Sequence, residues 1–165
     1  MSTRPYALNN LDDTSRIWIY QANRKLSKTE ILLVRDETIK FLEQWNAHGN
    51  ELKAGFSVLK DYFLIIGVDE SFAQASGCSI DSSVGLVRKL NEYLGIDFLN
   101  RQLTSIQNSE DQVVQYSLKE IPDQIESGHI LPGTLMFNTM IQTVGELKDN
   151  WLIPAKDSWM KRYFK

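Results

Sequence analysis

The chain has 165 residues, 42% hydrophobic and 24% charged, with a net charge of −3, which suits one globular domain and excludes the broad basic face of a nucleic-acid binder. Its one cysteine, Cys78, and two histidines, His48 and His129, exclude an internal disulfide and a multi-cysteine zinc or iron–sulfur centre. Residues 1–10 are polar, and the longest apolar run, Tyr62 to Val68, falls far short of the roughly 20 residues of a membrane helix; with a lone thiol, this predicts a soluble cytoplasmic protein without a membrane span.

The lead-in, residues 1–15, carries Pro5, Asn9, Asn10, Asp12 and Asp13. Arg16–Tyr20 is a short aromatic and β-branched run and predicts a first strand. Ser27-Lys-Thr-Glu30 has the spacing of a capping box and opens a helix to about Ala47. That helix places Ile31, Val34, Phe41, Leu42 and Trp45 near one face and sets Asp36 and Lys40 as an i,i+4 pair. His48-Gly49 stops it, with Gly49 in the usual position just past a helix end. Alternation at Leu52, Ala54, Phe56 and Val58 predicts a half-buried strand, Lys60-Asp61 a turn, and Tyr62–Val68 a strand covered on both faces. A second helix begins near Ser79 or Asp81, carries Ile80, Val84, Val87, Leu90 and Leu94 on one side, and ends at Gly95. Gly85 inside it is explained by a close approach to the sheet. Val113–Tyr116 supplies a weaker fourth strand.

The order βαββαβ over residues 16–117 predicts an α+β fold, the ferredoxin-like sandwich, with two helices on one face of a mostly antiparallel sheet. Strands one and three are then central, and strands two and four are edges. Residues 118–165 form a C-terminal extension of the same domain. It holds a helical turn at Asp123–Ser127, a strand at Thr134–Phe137, and a capping-box spacing at Thr143–Glu146 that opens a helix towards Trp151. Its aromatic, basic end, with Trp151 and Trp159, is expected to pack back on the domain.

Neither G-x-x-x-x-G-K-[ST] nor G-x-G-x-x-G is present, nor H-E-x-x-H, G-x-S-x-G or an EF-hand loop, so no cofactor or metal is implied. The chemistry that remains lies between Asp69 and Ser83. Ser76-Gly77-Cys78-Ser79 enters a helix N-terminus, where free amides and the helix dipole favour an anion or a thiolate. In the expected topology the carboxyl end of strand three meets the start of strand two, which collects Trp45, His48, Asp69, Glu70 and Cys78 at one edge. Cys78 as nucleophile or redox thiol, His48 as base and Asp69 or Glu70 as its orienting carboxylate form a workable catalytic set. Ser76, Gly77, Ser79, Asp81, Ser82 and Trp45 would then line a site for a small anionic ligand. Each also has a plain structural reading. Ser79, Asp81 and Ser82 are ordinary capping residues, Cys78 is a small buried hydrophobe, and His48 complements a helix dipole. Asp69, Glu70 and Asp81 also oppose thiolate formation through like charge. The edge of the second strand offers pairing between subunits.

At Gln44-Trp-Asn-Ala-His-Gly49, Gly77-Cys-Ser-Ile-Asp-Ser-Ser83 and Asp157-Ser-Trp159 the chain resembles an uncharacterised family of small bacterial proteins often labelled ABC transporter ATPases. The resemblance spans nearly the whole chain from Trp18 onward and implies no catalytic residues. The label implies ATP hydrolysis, for which the sequence carries neither the Walker A lysine loop nor a Leu-Ser-Gly-Gly-Gln signature. The expectation is therefore a cytoplasmic binding or interaction module for a small anionic ligand or a protein partner, with a thiol-dependent enzyme as the alternative.

Overall fold

The computed structural model describes residues 6–46, 53–70 and 77–165, with side chains over 6–45, 53–70 and 82–165. The elements are β1 (Arg16–Gln21), α1 (Lys28–Asn46), β2 (Lys53–Leu59), β3 (Phe63–Asp69), α2 (Gly77–Leu94), β4 (Leu103–Gln107), β5 (Val113–Ser117), α3 (Ile121–Glu126), β6 (Leu135–Phe137), α4 (Val144–Asn150) and β7 (Leu152–Pro154). They form two antiparallel sheets, ordered β1-β3-β2 and β5-β4-β6-β7, and an α+β chain that divides into two compact units. One unit runs up to Asn100 and takes in Gln142–Leu147; the other is Arg101–Ile141 with Lys148–Lys165. No helix among the described residues is long and apolar enough to cross a membrane.

In the first unit β3 is central, and every residue from Phe63 to Asp69 is buried, as its unbroken apolar run requires. Leu64, Ile66 and Val68 face a core shared with Val34, Leu42 and Trp45 of α1 and Val87 and Leu90 of α2. From the same side of β1, the Tyr20 hydroxyl lies 3.2 Å from that of Ser83 on α2, within hydrogen-bond distance. The alternate residues point to the opposite face. There Gly67 stands between Ile17 and Gly55 in register, and a 3-10 turn, Leu8–Asn10, covers the gap. A Cβ on Gly67 would come within 2.7 Å of Leu8 Cδ1 and 2.9 Å of Leu11 Cδ1; one on Gly55 would come within 2.8 Å of the Ala7 carbonyl oxygen. The two glycines thus make a trough in which the chain from Tyr6 to Leu11 is seated, with Leu8 and Leu11 each 4% exposed.

The capping box at the start of α1 forms as expected: Glu30 N donates to Ser27 Oγ at 3.1 Å, and Ser27 N donates to Glu30 Oε1 at 2.9 Å. Arg24 adds to it, donating to both Glu30 oxygens at 2.8 and 2.7 Å and to the Leu94 carbonyl at the end of α2 at 2.9 Å. Lys40 pairs with Glu37 at 3.4 Å rather than with Asp36, and Glu37 also receives Lys89 of α2 at 3.0 Å. The Lys60-Asp61 turn forms with both residues at positive φ, 57° and 61°, a conformation common in tight hairpins.

Val113–Ser117 is not the fourth strand of the first sheet. It pairs with Leu103–Gln107, a strand absent from the sequence reading, in the second sheet. The outer edge of β1 is closed instead by Gln142 and Thr143: Ile17 N donates to Gln142 O, Val144 N donates to Ser15 O, and Arg16 and Thr143 form an isolated antiparallel bridge. A closed outer edge accounts for the apolar character of β1, which the sequence reading assigned to a central strand. The β2 edge is also occupied at one point, where Phe56 N donates to Tyr6 O and Ala7 bridges Phe56 in parallel.

Gly85 needs another account. It is exposed, and a Cβ there would meet nothing within 4 Å, so no close approach to the sheet requires it. Gly85→Ala is therefore expected to raise stability by about 0.5–1 kcal/mol through helix propensity alone, measured as a higher urea midpoint at unchanged slope. A lowered midpoint would assign the glycine a packing role that the structure does not contain.

In the second unit Ile106, Ile121, Ile130, Met136, Ala155 and Met160 form the core. Met160 anchors the C-terminal segment there with no exposed surface, while the neighbouring Trp159 remains 39% exposed. Trp151 rests half-buried against Phe137 at 5.3 Å between ring centres.

Candidate functional site

The edge expected from the sequence exists in part. Antiparallel pairing sets Asp69 opposite Lys53 and Val68 opposite Arg16, so the carboxyl end of β3 lies beside the starts of both β1 and β2. Asp69 closes β3 at 4% exposure. Glu70, just beyond, has Arg16 Nη1 at 3.8 Å, and the Arg16 guanidinium lies over the Trp18 ring at 5.0 Å. Two adjacent carboxylates, one paired with Arg16, thus mark this end of the sheet.

Trp45 contributes to the core rather than to a surface. It is 4% exposed and packs on Phe41 at 5.0 Å between ring centres, and its Nε1 has no partner among the described residues. Gly77, Cys78, Ser79 and Asp81 fall in the first turns of α2, so the helix starts slightly earlier than the sequence indicates. Ser82 is exposed on the same helix. His48 and Ser76, together with the His48-Gly49 helix stop, lie outside the described residues, and the side chains of Cys78, Ser79 and Asp81 do likewise. Among the described residues no group of three or more His, Cys, Asp or Glu side chains is arranged to hold a metal ion.

A second place, missed by the sequence reading, lies in the second unit. The β4–β5 hairpin turns through Asn108–Gln112. Asn108 N donates to Gln112 O, and the Asn108 side-chain oxygen accepts from the amides of Glu110 and Gln112, each at 2.9 Å. Asp111 completes the turn at φ 61° and accepts from Gln107 Nε2 at 2.8 Å. Register pairs Gln107 with Leu135 on β6 and so brings the turn beside the segment Leu131–Leu135. That segment is itself closed, with Thr134 N donating to Leu131 O and Leu131 N donating to Thr134 Oγ1. Between them lies an open depression of about 390 Å³ lined by Gln107, Asn108, Ser109, Asp111, Leu131, Gly133, Thr134 and Leu135.

Its polar side chains are those of Gln107, Asn108, Ser109, Asp111 and Thr134. Gln107 Oε1 is buried from solvent and has no hydrogen-bond partner among the described residues, while its amide nitrogen donates to Asp111. Leu131 and Leu135, 56% and 37% exposed, supply an aliphatic wall. No family model, curated protein or solved structure matches the chain. The second histidine lies just past the end of α3, where His129 Nδ1 is 2.9 Å from both Ser127 Oγ and Gln124 Oε1. The sequence signal for the depression was a hairpin: two β-type runs, Leu103–Gln107 and Val113–Ser117, separated by five polar residues.

Proposed function

We propose that the chain is a soluble cytoplasmic binding module, not a transporter-type ATPase, and that its ligand site is the depression between the β4–β5 turn and Leu131–Leu135. The observation that carries this reading is the composition of that depression, the aliphatic side chains of Leu131 and Leu135 beside the polar side chains of a turn closed by its own hydrogen bonds. Small-molecule sites combine these two ingredients, apolar contact for affinity and a few oriented polar groups for selectivity. Two further facts speak against ATP. The standard phosphate-cradling sequences are missing, and both sheets are antiparallel, whereas nucleotide-binding loops of that kind sit in parallel α/β units. The proposal includes membership of the uncharacterised bacterial family that the chain resembles.

The same proposal covers the first unit. The strand order β1-β3-β2, with α1 between β1 and β2 and α2 after β3, supports a ferredoxin-like sandwich in which Gln142–Thr143 takes the place of the fourth strand. In a titration of ¹⁵N-labelled protein with a mixture of small polar molecules of both charges, the amides of residues 107–112 and 131–135 are expected to move. Shifts confined to other parts of the chain would remove the depression as the site.

One observation favours a thiol enzyme as the second reading: Cys78 is the second residue of the 18-residue helix α2, where unsatisfied backbone amides lie. Alkylation of the folded protein separates the two. A binding module predicts a thiol that reacts with an apparent pKa in the ordinary range near 8.5 or stays unreactive until denatured. Rapid labelling with an apparent pKa below 7 would favour the enzyme reading in its place.

A further inference from the structure

We infer that residues 156–165 of the second unit dock the protein on an anionic lipid surface. The segment carries Lys156, Lys161, Arg162 and Lys165 against one acid, Asp157, in a chain whose net charge is −3. All four cations are exposed, and none of them makes an ion pair among the described residues. Arg162 is held only by its neighbour: Nη2 donates to the Tyr163 hydroxyl at 2.8 Å, and the guanidinium lies over the Tyr163 ring at 4.9 Å. Positive charge concentrated and left uncompensated in an acidic chain marks a surface for an anionic partner.

The 3-10 turn Trp159–Tyr163 sorts these side chains by face. With three residues per turn, Met160 and Tyr163 share one side, and Trp159 and Arg162 share another. Met160 is fully buried and Tyr163 packs on the same core. Trp159, Lys161 and Arg162 are therefore turned outward, and the Trp159 ring meets the Tyr163 ring edge-on at 6.3 Å. At the other end of the segment Lys156 N donates to Pro132 O at 3.0 Å, and Leu131, next to Pro132, is 56% exposed. An exposed indole among cations selects the partner. Its apolar body and single N–H suit the headgroup boundary of a bilayer, and Lys and Arg reach lipid phosphates on long apolar stems. A small soluble anion would engage the cations but leave the indole in water. Asp157 opposes the attraction, so docking is weak, reversible and salt-dependent.

The test is co-sedimentation of the whole chain with phosphatidylcholine vesicles containing about 30% phosphatidylserine, and with vesicles of phosphatidylcholine alone. Binding to the mixed vesicles is expected at lipid concentrations on the order of millimolar in about 0.1 M salt, and its loss in about 0.5 M salt. Phosphatidylcholine alone should sediment none of the protein. Lys156→Gln combined with Lys161→Gln is expected to weaken binding about 25-fold, since each cation near the surface is worth about five-fold. Lys25→Gln combined with Lys28→Gln removes the same charge from exposed positions in the first unit and should leave binding unchanged. Trp159→Ala should weaken binding several-fold and keep its salt dependence. No sedimentation with the mixed vesicles at about 10 mM lipid, or equal sedimentation with both kinds of vesicle, would overturn the inference. Equal losses in the two double variants would overturn it as well, by assigning the attraction to net charge rather than to this segment. An unchanged affinity in Trp159→Ala would leave charge as the sole attraction and overturn the lipid assignment. Single-stranded oligothymidylate bound through Lys156 and Lys161, with vesicles left unbound, would make this a nucleic-acid surface in place of a lipid one.

Discussion

Gly55→Val is expected to lower stability by about 3 kcal/mol. The new side chain begins with a Cβ placed 2.8 Å from the Ala7 carbonyl oxygen, 3.0 Å from its carbonyl carbon and 3.1 Å from the Tyr6 oxygen. These are backbone atoms, so no rotamer change relieves the contact, and the Tyr6–Leu11 segment must lift from the trough. Lifting it exposes Leu8 and Leu11, each worth roughly 1.5–3 kcal/mol when fully buried, and breaks the bond from Phe56 N to Tyr6 O. Gly67→Ala should be milder, because its Cβ would meet side-chain methyl groups of Leu8, Leu11 and Ile17 rather than main chain. Urea denaturation gives the comparison. The decisive sample is Leu8→Ala in the Gly55→Val background: if the segment has already left, the second substitution adds almost nothing, whereas Leu8→Ala alone costs about 2–4 kcal/mol. Additive losses would mean that the segment stays seated and that the trough is wider than described.

The second large effect belongs to Arg24 and Glu30. Arg24 is first among the causes that hold the Glu30 carboxyl down at about 2 from its ordinary 4.5, followed by the amide of Ser27. A carboxylate depressed in the folded state adds stability that is complete above the ordinary value and disappears as the pH falls through the folded one. The contribution is thus present at pH 5 and above, declines from about 4.5, and is gone near 2. The shift alone sets a ceiling near 3 kcal/mol. Arg24 is 45% exposed, and solvent screening reduces the ion pair to about 1 kcal/mol. Arg24 also donates to the carbonyls of Leu94 and Lys25 at 2.9 and 3.2 Å. Arg24→Met should therefore cost about 1–2 kcal/mol at pH 7, and the gap to the parent protein should narrow, without closing, by pH 2.5. A gap independent of pH would show that the carbonyl contacts alone tie the end of α2 to the start of α1.

What was legible in the sequence was whatever a local pattern encodes. The Ser27–Glu30 box, the Lys60-Asp61 turn, the buried run of β3 and the apolar face of α2 all appear where periodicity and capping chemistry set them. The failures are non-local. Leu103–Gln107 was missed because its alternation is diluted by Thr104 and Ser105, both of which are nevertheless buried. Once that strand exists, Val113–Ser117 has a hairpin partner ten residues away and no longer needs β1. Nothing in the string Gln142-Thr143 signals that it closes the β1 edge, since one bridge leaves no periodicity to detect. The candidate site divides similarly. Placing Asp69 and Glu70 beside the starts of β1 and β2 follows from antiparallel pairing alone. Trp45 as a ligand contact did not follow, because the face of α1 that holds it faces the core. The depression at Gln107–Asp111 depends on the register of β4 with β6, which no local signal carries.

The two single-bridge closures of the first sheet also constrain the order of assembly. Ala7 meets Phe56 early in synthesis, but Thr143 meets Arg16 only after β4, β5 and β6 have been made. At about 5–20 residues per second, β1 spends several seconds with an open edge on a nascent chain. During that interval the strand is a template for pairing with neighbouring chains, and this is the period in which a chaperone would matter most for the protein.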